Sequence, residues 1–132
     1  MLPKTASKNQ PNLFYGSLMD MLDLNDPLIA LANVIDWTLI ENALSKFYSC
    51  NKGRPAKPIR IMAGLLMLKQ LENLSDESVV LQWKRNPYYQ YFCGMNDYQA
   101  ALPCDSTELV KFRNRIGQEG IDTIFGASVA LH

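Results

Sequence analysis

The stretch that decides the fold is Leu74–Gly117, which contains LSDESVVLQW (74–83), NPYYQYFCG (86–94) and LPCDSTELVKFRNRIG (102–117). Ser75 can serve as a helix N-cap, and the two acids that follow it lie in a first turn, where the helix dipole favours negative charge. Asn86 and Pro87 can end this helix at Arg85 and begin a short aromatic one, because proline is accepted in a first turn but breaks a helix interior. The stretch therefore predicts consecutive helices.

The last part of the chain carries a capping signal of its own. Asp105 followed three residues later by Glu108 is the spacing of a capping box, and Gly117 can end the resulting helix. We expect one helix over Thr107–Ile116 and a final helix over Ile121–Leu131.

Upstream of Leu74 the apolar residues recur at helical spacing. Asp26 and Pro27 predict the start of a helix over Leu28–Val34, and Asp36 can cap the next helix. Its core stripe consists of Trp37, Ile40, Ala43, Leu44 and Phe47. Ile59–Leu71 is apolar on almost every face and should lie at the centre. No alternating strand pattern is present, so we predict an all-α fold, a compact bundle of about six to eight helices.

Length and composition predict one domain. The chain has 132 residues and 48% hydrophobic content, enough to bury a core of its own. We expect a flexible segment over 1–12 and a helical domain over 13–132. Thirteen basic residues balance thirteen acidic ones, so any contact with nucleic acid must come from local clusters of positive charge.

Several classes of site are disfavoured. The cysteines, Cys50, Cys93 and Cys104, form no CxxC pair, which argues against a disulfide framework and a zinc site and favours idle thiols. The single histidine is terminal and no glycine-rich phosphate loop occurs. We therefore expect no catalytic residue, no cofactor, no metal and no small-molecule substrate. The sequence shows neither the apolar region of a secretory signal nor an apolar run long enough to span a membrane, so we expect a cytoplasmic protein.

The first candidate site is a helix-turn-helix. The helices Ile59–Leu71 and Asp76–Arg85 are joined by a connection of about three residues, the length found in that motif. Ser78, Gln82 and Arg85 share one exposed face of the second helix, where Gln can pair with adenine and Arg with guanine. The alternative is a capped amphipathic helix in an ordinary bundle.

The second candidate is a basic arm at residues 50–58. Lys52 and Arg54, continued by Lys57 and Arg60, place four positive charges within nine residues on a backbone stiffened by proline. A Gly-Arg-Pro strip is narrow enough for an A·T-rich minor groove, where an inserted arginine meets strong negative potential. The alternative is a solvated linker.

The third candidate is a positive surface formed by Lys111, Arg113 and Arg115, flanked by Lys84 and Arg85. It suits phosphate contacts, and equally a solvated helix face. The aromatic run Tyr88, Tyr89, Tyr91 and Phe92 could stack on single-stranded bases, but its helical spacing favours packing in the core or against a partner.

Together with GRPAKPIR (53–60), these strings resemble the amino-terminal domain of bacterial insertion-sequence transposases of the InsH-like type. The resemblance covers nearly everything from Phe14 onward. It implies that this domain binds the terminal repeats of the element in double-stranded DNA, and that a separate Asp-Asp-Glu domain cuts and joins DNA. Because the chain stops at His132, about where that domain would begin, we expect the catalytic domain to be absent.

The resemblance further implies a nucleoid-associated cytoplasmic protein that can self-associate or pair with intact transposase. Two other classes stay open. One is an enzyme, either an unrecognised nuclease or one piece of a split transposase. The other is an interaction remnant that pairs with intact transposase without binding DNA.

Overall fold

The computed structural model describes residues 17–48 and 57–129, with side chains up to residue 127. These two ranges form seven helices and no strand, which confirms the all-α prediction. In chain order the helices are α1 (Leu18–Met21), α2 (Pro27–Val34), α3 (Trp37–Ser45), α4 (Ile59–Glu72), α5 (Asp76–Arg85), α6 (Pro87–Phe92) and α7 (Ser106–Val129). The flexible segment expected over 1–12 and most of the basic arm lie outside the described residues.

Side-chain caps begin the helices where the sequence predicts them. Asp26 accepts a hydrogen bond from the Leu28 amide at 2.8 Å, and Pro27 occupies the first turn of α2. Ser75 caps α5 by accepting from the Ser78 amide at 3.0 Å. These caps satisfy amides that have no partner within the helix, so short polar residues fix where each helix starts.

Helix α4 is the centre of the bundle, as its apolar sequence predicts. Its residues Met62 to Leu68 are all buried, and it packs against α3, α5 and α7. Trp37, Leu65 and Trp83, from three successive helices, belong to one hydrophobic core. Asn73 ends α4 in the left-handed conformation, with φ 56° and ψ 57°, which asparagine tolerates better than most residues.

The cysteines in the described ranges are free and buried. Cys93 follows α6 and lies against Gly64 of α4, where a Cβ atom added to the glycine would come within 2.6 Å of its Sγ atom. Burial raises the pKa of the Cys93 thiol to about 12 and that of Cys104 to about 11. Both thiols are therefore protonated and unreactive at neutral pH, as expected; Cys50 lies outside the described residues.

The expected break at Gly117 is present, but without the linker that we predicted. Gly117 has φ 63° and ψ −168°, so the backbone leaves the helical region there and α7 consists of two helical halves. The second half resumes directly after it and packs closely, since a Cβ at Gly120 would lie 2.4 Å from the Cβ of Ile116. The helix therefore resumes before Ile121, the residue at which we expected it to begin.

The aromatic run lies mainly in the core, as its spacing favours. Tyr89 and Phe92 are buried, and Phe92 meets the Trp37 ring edge-on at 5.3 Å between centroids. The hydroxyl of Tyr91 donates to Asn33 at 2.9 Å, and that of Tyr88 accepts from the Asp23 amide at 3.0 Å. These contacts attach α6 to α2 and to the chain before it.

Within the described residues, no single helix is long and apolar enough to cross a membrane. Helices α2 and α3 reach the length and apolar composition of a membrane span only when taken together, and the two helices are bent by 59° relative to each other.

Candidate nucleic-acid interface

Helix α5 presents polar side chains on the side away from the core. Val79, Val80 and Trp83 are buried, whereas Gln82 and Arg85 are exposed and Ser78 is partly exposed. Buried apolar and exposed polar residues thus alternate along α5 as in an amphipathic helix, so the predicted outward face of α5 is confirmed. We call Ser78, Gln82 and Arg85 the α5 stripe.

The start of α5 is attached to α7 by an ion pair. Arg113 donates two hydrogen bonds to the Asp76 carboxylate, at 2.8 Å and 3.1 Å. These bonds hold the pKa of Asp76 below its usual range and raise the pKa of Arg113. The pair neutralises one of the two acids in the first turn of α5, but Glu77 stays exposed.

The end of α5 is held by α6 and by the chain that follows it. Gln90 is fully buried and donates to the Trp83 carbonyl at 3.1 Å and to the Gln99 carbonyl at 2.9 Å. Tyr98 donates its hydroxyl to the Lys84 carbonyl at 3.0 Å. The last carbonyls of α5 are thereby satisfied, and the turn carrying Lys84 and Arg85 is fixed in orientation.

The predicted positive surface on α7 is divided by its contacts. Arg113 pairs with Asp76, and Arg115 donates to the Phe47 carbonyl at 3.0 Å with its guanidinium 4.3 Å from the Tyr48 ring centre. Lys111 is exposed and has no polar partner among the described residues. Of these three cations, Lys111 is the one whose charge faces solvent with no partner among the described residues.

The candidates near the basic arm fall in different places. Lys52 and Arg54 lie outside the described residues, and Lys57 is partly exposed at the edge of the described range. Arg60 turns inward, with its guanidinium 4.4 Å from the Trp37 ring centre. The structure therefore does not join Arg60 to an exposed basic strip.

Two residues of this region were missed by the sequence reasoning. Gln90 stands inside an aromatic run. Nothing in the sequence indicates that its amide is buried in α6 and hydrogen-bonds both to the end of α5 and to Gln99. Leu81 is 47% exposed on α5 between the predicted polar positions, where an apolar side chain could contact a thymine methyl group.

Several carboxylates of the described residues act as helix caps or form ion pairs. Glu108 accepts from the Asp105 amide at 2.9 Å, which is one half of the predicted capping box. Asp36 caps α3, and Asp76 pairs with Arg113. In this part of the chain, no three His, Cys, Asp or Glu side chains converge as metal ligands would.

The profile of a family described as "Transposase domain (DUF772)" matches residues 16–115. A protein from Rhizobium meliloti, described as "Uncharacterized protein ORF8 in nfe locus", is 39% identical over 129 residues. This match covers 98% of the chain and 62% of the relative, so the chain spans less than two thirds of the relative's length. No solved structure matches the chain.

Proposed function

The chain belongs to the DUF772 family of transposase domains, and from this premise we propose that it acts in DNA transposition by binding the ends of a mobile element. The finer assignment, to insertion-sequence transposases of the InsH-like Asp-Asp-Glu type, is part of the same proposal. The observation that carries DNA binding is the α5 stripe, an outward row of polar side chains on a helix fastened at both ends.

The α5 stripe has the chemistry for reading base edges. Gln82 offers an amide that pairs with adenine, and Arg85 a guanidinium that pairs with the two acceptors of guanine. Neither side chain has a polar partner among the described residues. A helix held by Asp76 at its start and Gln90 near its end presents them in fixed positions, which favours recognition over non-specific contact.

Helices α4 and α5, joined by residues 73–75, form the helix-turn-helix of this proposal. The exposed Glu77 opposes an approach by the first turn of α5 toward phosphate, because both are negative. We therefore place the later turns of α5, with Gln82 and Arg85, in the major groove.

Phosphate contacts in the proposed complex come from exposed lysines around this helix. Lys84 lies on α5 and Lys111 on α7; both are exposed, and the ammonium group of each has no polar partner among the described residues. The basic arm with Lys52, Arg54 and Lys57 supplies further contacts if it enters a minor groove. Because the net charge is zero, we expect weak binding to random duplex, with dissociation constants of about 10⁻⁴ to 10⁻⁶ M at physiological salt.

We propose in addition that this chain does not cut or join DNA by itself. Two-metal phosphoryl transfer needs several carboxylates converging on paired ions. The Asp76 carboxylate instead serves an ion pair, and the Glu108 carboxylate accepts from the Asp105 amide at a helix start. Incubation with supercoiled plasmid and Mg²⁺ or Mn²⁺ should leave the plasmid intact; nicking that co-purifies with the protein and is lost in Asp76→Asn or Asp105→Asn would show that it is an enzyme.

The test of DNA binding is a fluorescence-anisotropy titration with random duplex at several salt concentrations, after selection of a preferred duplex from a randomised pool. We expect affinity to fall as salt rises, and a selected duplex that binds tighter than the random one. No binding at low salt would reject DNA binding and favour the remnant that pairs with intact transposase. Association with itself or with intact transposase, in the nucleoid, is the rest of the proposal.

A further inference from the structure

A cavity of about 460 Å³ opens beside α2, α3, α4 and the turn after α6, and none of the proposed DNA-contact residues of α5 and α7 lines it. Trp37, Ile35 and Ala32 are buried residues lining its floor, and the exposed Asn33 and Asn96 stand at its rim. Its size lies within the range of small-molecule pockets, which is about 300 to 1,000 Å³.

Arg60 is the charged residue lining this cavity, and it is held in place by three neighbours. Its guanidinium lies 4.4 Å from the Trp37 ring centre, and its Nη2 atom donates to the Phe92 carbonyl at 3.3 Å. Gly94 lies so close that a Cβ there would come within 2.9 Å of Cδ and Nε. These contacts preorganise the guanidinium, and its buried Nε atom has no hydrogen-bond partner among the described residues.

The charge of Arg60 is partly buried, and no carboxylate of residues 17–48 and 57–127 forms an ion pair with it. Burial lowers its pKa, opposed most strongly by Cys93 and Glu41 nearby. The ion pairs of the described residues are Lys46 with Glu119 and Arg113 with Asp76, and neither includes Arg60. Because a buried charge is costly unless it is paired, this position favours an anion from outside the chain.

The polar lining of the cavity also suits an anion. Tyr91 donates its hydroxyl to the Oδ1 atom of Asn33, so the amide nitrogen of Asn33 keeps both hydrogens for a ligand. Among the described residues that line the cavity, none is an aspartate or a glutamate. The apolar walls formed by Met19, Ile35 and Met95 fit the non-polar body of such a ligand.

We propose that this cavity binds a small organic oxyanion, a carboxylate or phosphate on an apolar or aromatic body, with Arg60 as its charged contact and Asn33 as a donor at the rim. This ligand site is independent of the proposed DNA contacts on α5. It also gives Arg60 a role other than the DNA contact expected from the sequence.

The test uses the full chain, labelled with ¹⁵N and titrated with benzoate or phenyl phosphate, with benzyl alcohol as the neutral probe. The indole signal of Trp37 should shift saturably with either anion, while that of the core residue Trp83 stays in place. Benzyl alcohol should bind at least about tenfold more weakly, because hydrogen bonds to charged groups are the stronger ones.

Two variants check the role of charge. Arg60→Gln should weaken binding about tenfold or more. Because this change could disturb packing on Trp37, the second variant is Asn33→Asp. It places a carboxylate at the exposed rim and keeps the oxygen that accepts the hydrogen bond from Tyr91. This variant should weaken anion binding severalfold. Asn42→Asp adds the same charge at an exposed position of α3 outside the cavity and should leave binding unchanged.

Four results would each overturn the proposal. The first is no saturable shift of Trp37 with either anion. The second is equal binding of benzyl alcohol, and the third is an equal loss of binding in Asn33→Asp and Asn42→Asp. The fourth is a Trp37 shift that duplex DNA produces and the small anions do not, which would assign the cavity to a backbone phosphate.

Discussion

The contact between Gly64 and Cys93 sets the distance between α4 and the end of α6, and it can be tested with a double-mutant cycle. A methyl group added in Gly64→Ala would lie 2.6 Å from the Cys93 Sγ atom and 3.4 Å from its Cα and Cβ atoms. Both residues are buried, so the sulfur has little room to move. Removing the sulfur in Cys93→Ala should make space for the methyl group.

The expected energies follow from these distances. Overpacking a well-filled core costs about 1–3 kcal/mol, and alanine favours a helix interior over glycine by about 1 kcal/mol. Gly64→Ala should therefore cost a net of about 0–2 kcal/mol in the natural sequence. In the Cys93→Ala background the same change should stabilise by about 1 kcal/mol, so the coupling between the sites is about 1–3 kcal/mol.

Urea unfolding followed by tryptophan fluorescence gives the free energy of unfolding for all four proteins. The control is Gly126→Ala, at a helical glycine where an added Cβ would meet nothing within 4 Å. An effect of Gly64→Ala that is the same with and without the Cys93 sulfur would refute the packing argument.

Three further predictions concern the core, the ion pair and the phosphate contacts. Leu65→Ala should cost about 2–5 kcal/mol of unfolding free energy, because Leu65 is fully buried in α4; an unchanged melting temperature would show that α4 is not central. Since Arg113 lowers the pKa of Asp76, the ionised carboxylate stabilises the fold above its ordinary pKa of about 4, and this stability is lost as pH falls below that value. Asp76→Asn should remove that part of the pH dependence in urea titrations, and an unaltered profile would contradict the role of the pair. Lys111→Ala should lower the slope of log affinity for DNA against log salt by about one, whereas Lys46→Ala should not; equal slopes would remove Lys111 from the interface.

The helices could be predicted because their signals are local. Ser75, Asp26 and Asn86 each cap a helix through a backbone amide two or three residues away, and such bonds depend on neighbouring sequence alone. The unbroken apolar run of α4 likewise predicts a helix buried on all sides. Two features were not predicted: helix α1 (Leu18–Met21), and the immediate restart after Gly117, where Gly120 packs against Ile116.

The candidate site was predictable in part, because exposure follows helical periodicity but charge pairing does not. The outward face of α5 followed from the spacing of Ser78, Gln82 and Arg85. Arg113 and Asp76 are 37 residues apart in the sequence, and no local pattern links them. The inward turn of Arg60 onto Trp37 is likewise a long-range contact, so the sequence places this arginine with the basic arm while the fold places it in a cavity.

In our proposal the α5 stripe reads DNA sequence. The most direct measurement is the ratio of affinities for the selected and the random duplex, for the natural chain, Arg85→Ala and Lys46→Ala, at one salt concentration. Arg85→Ala should lower this ratio by about 10- to 100-fold, since one bidentate base contact contributes about 1–3 kcal/mol of discrimination. Lys46→Ala, which removes an exposed lysine that pairs with Glu119 of α7, should leave the ratio unchanged. An Arg85→Ala protein that keeps the natural ratio would contradict the account.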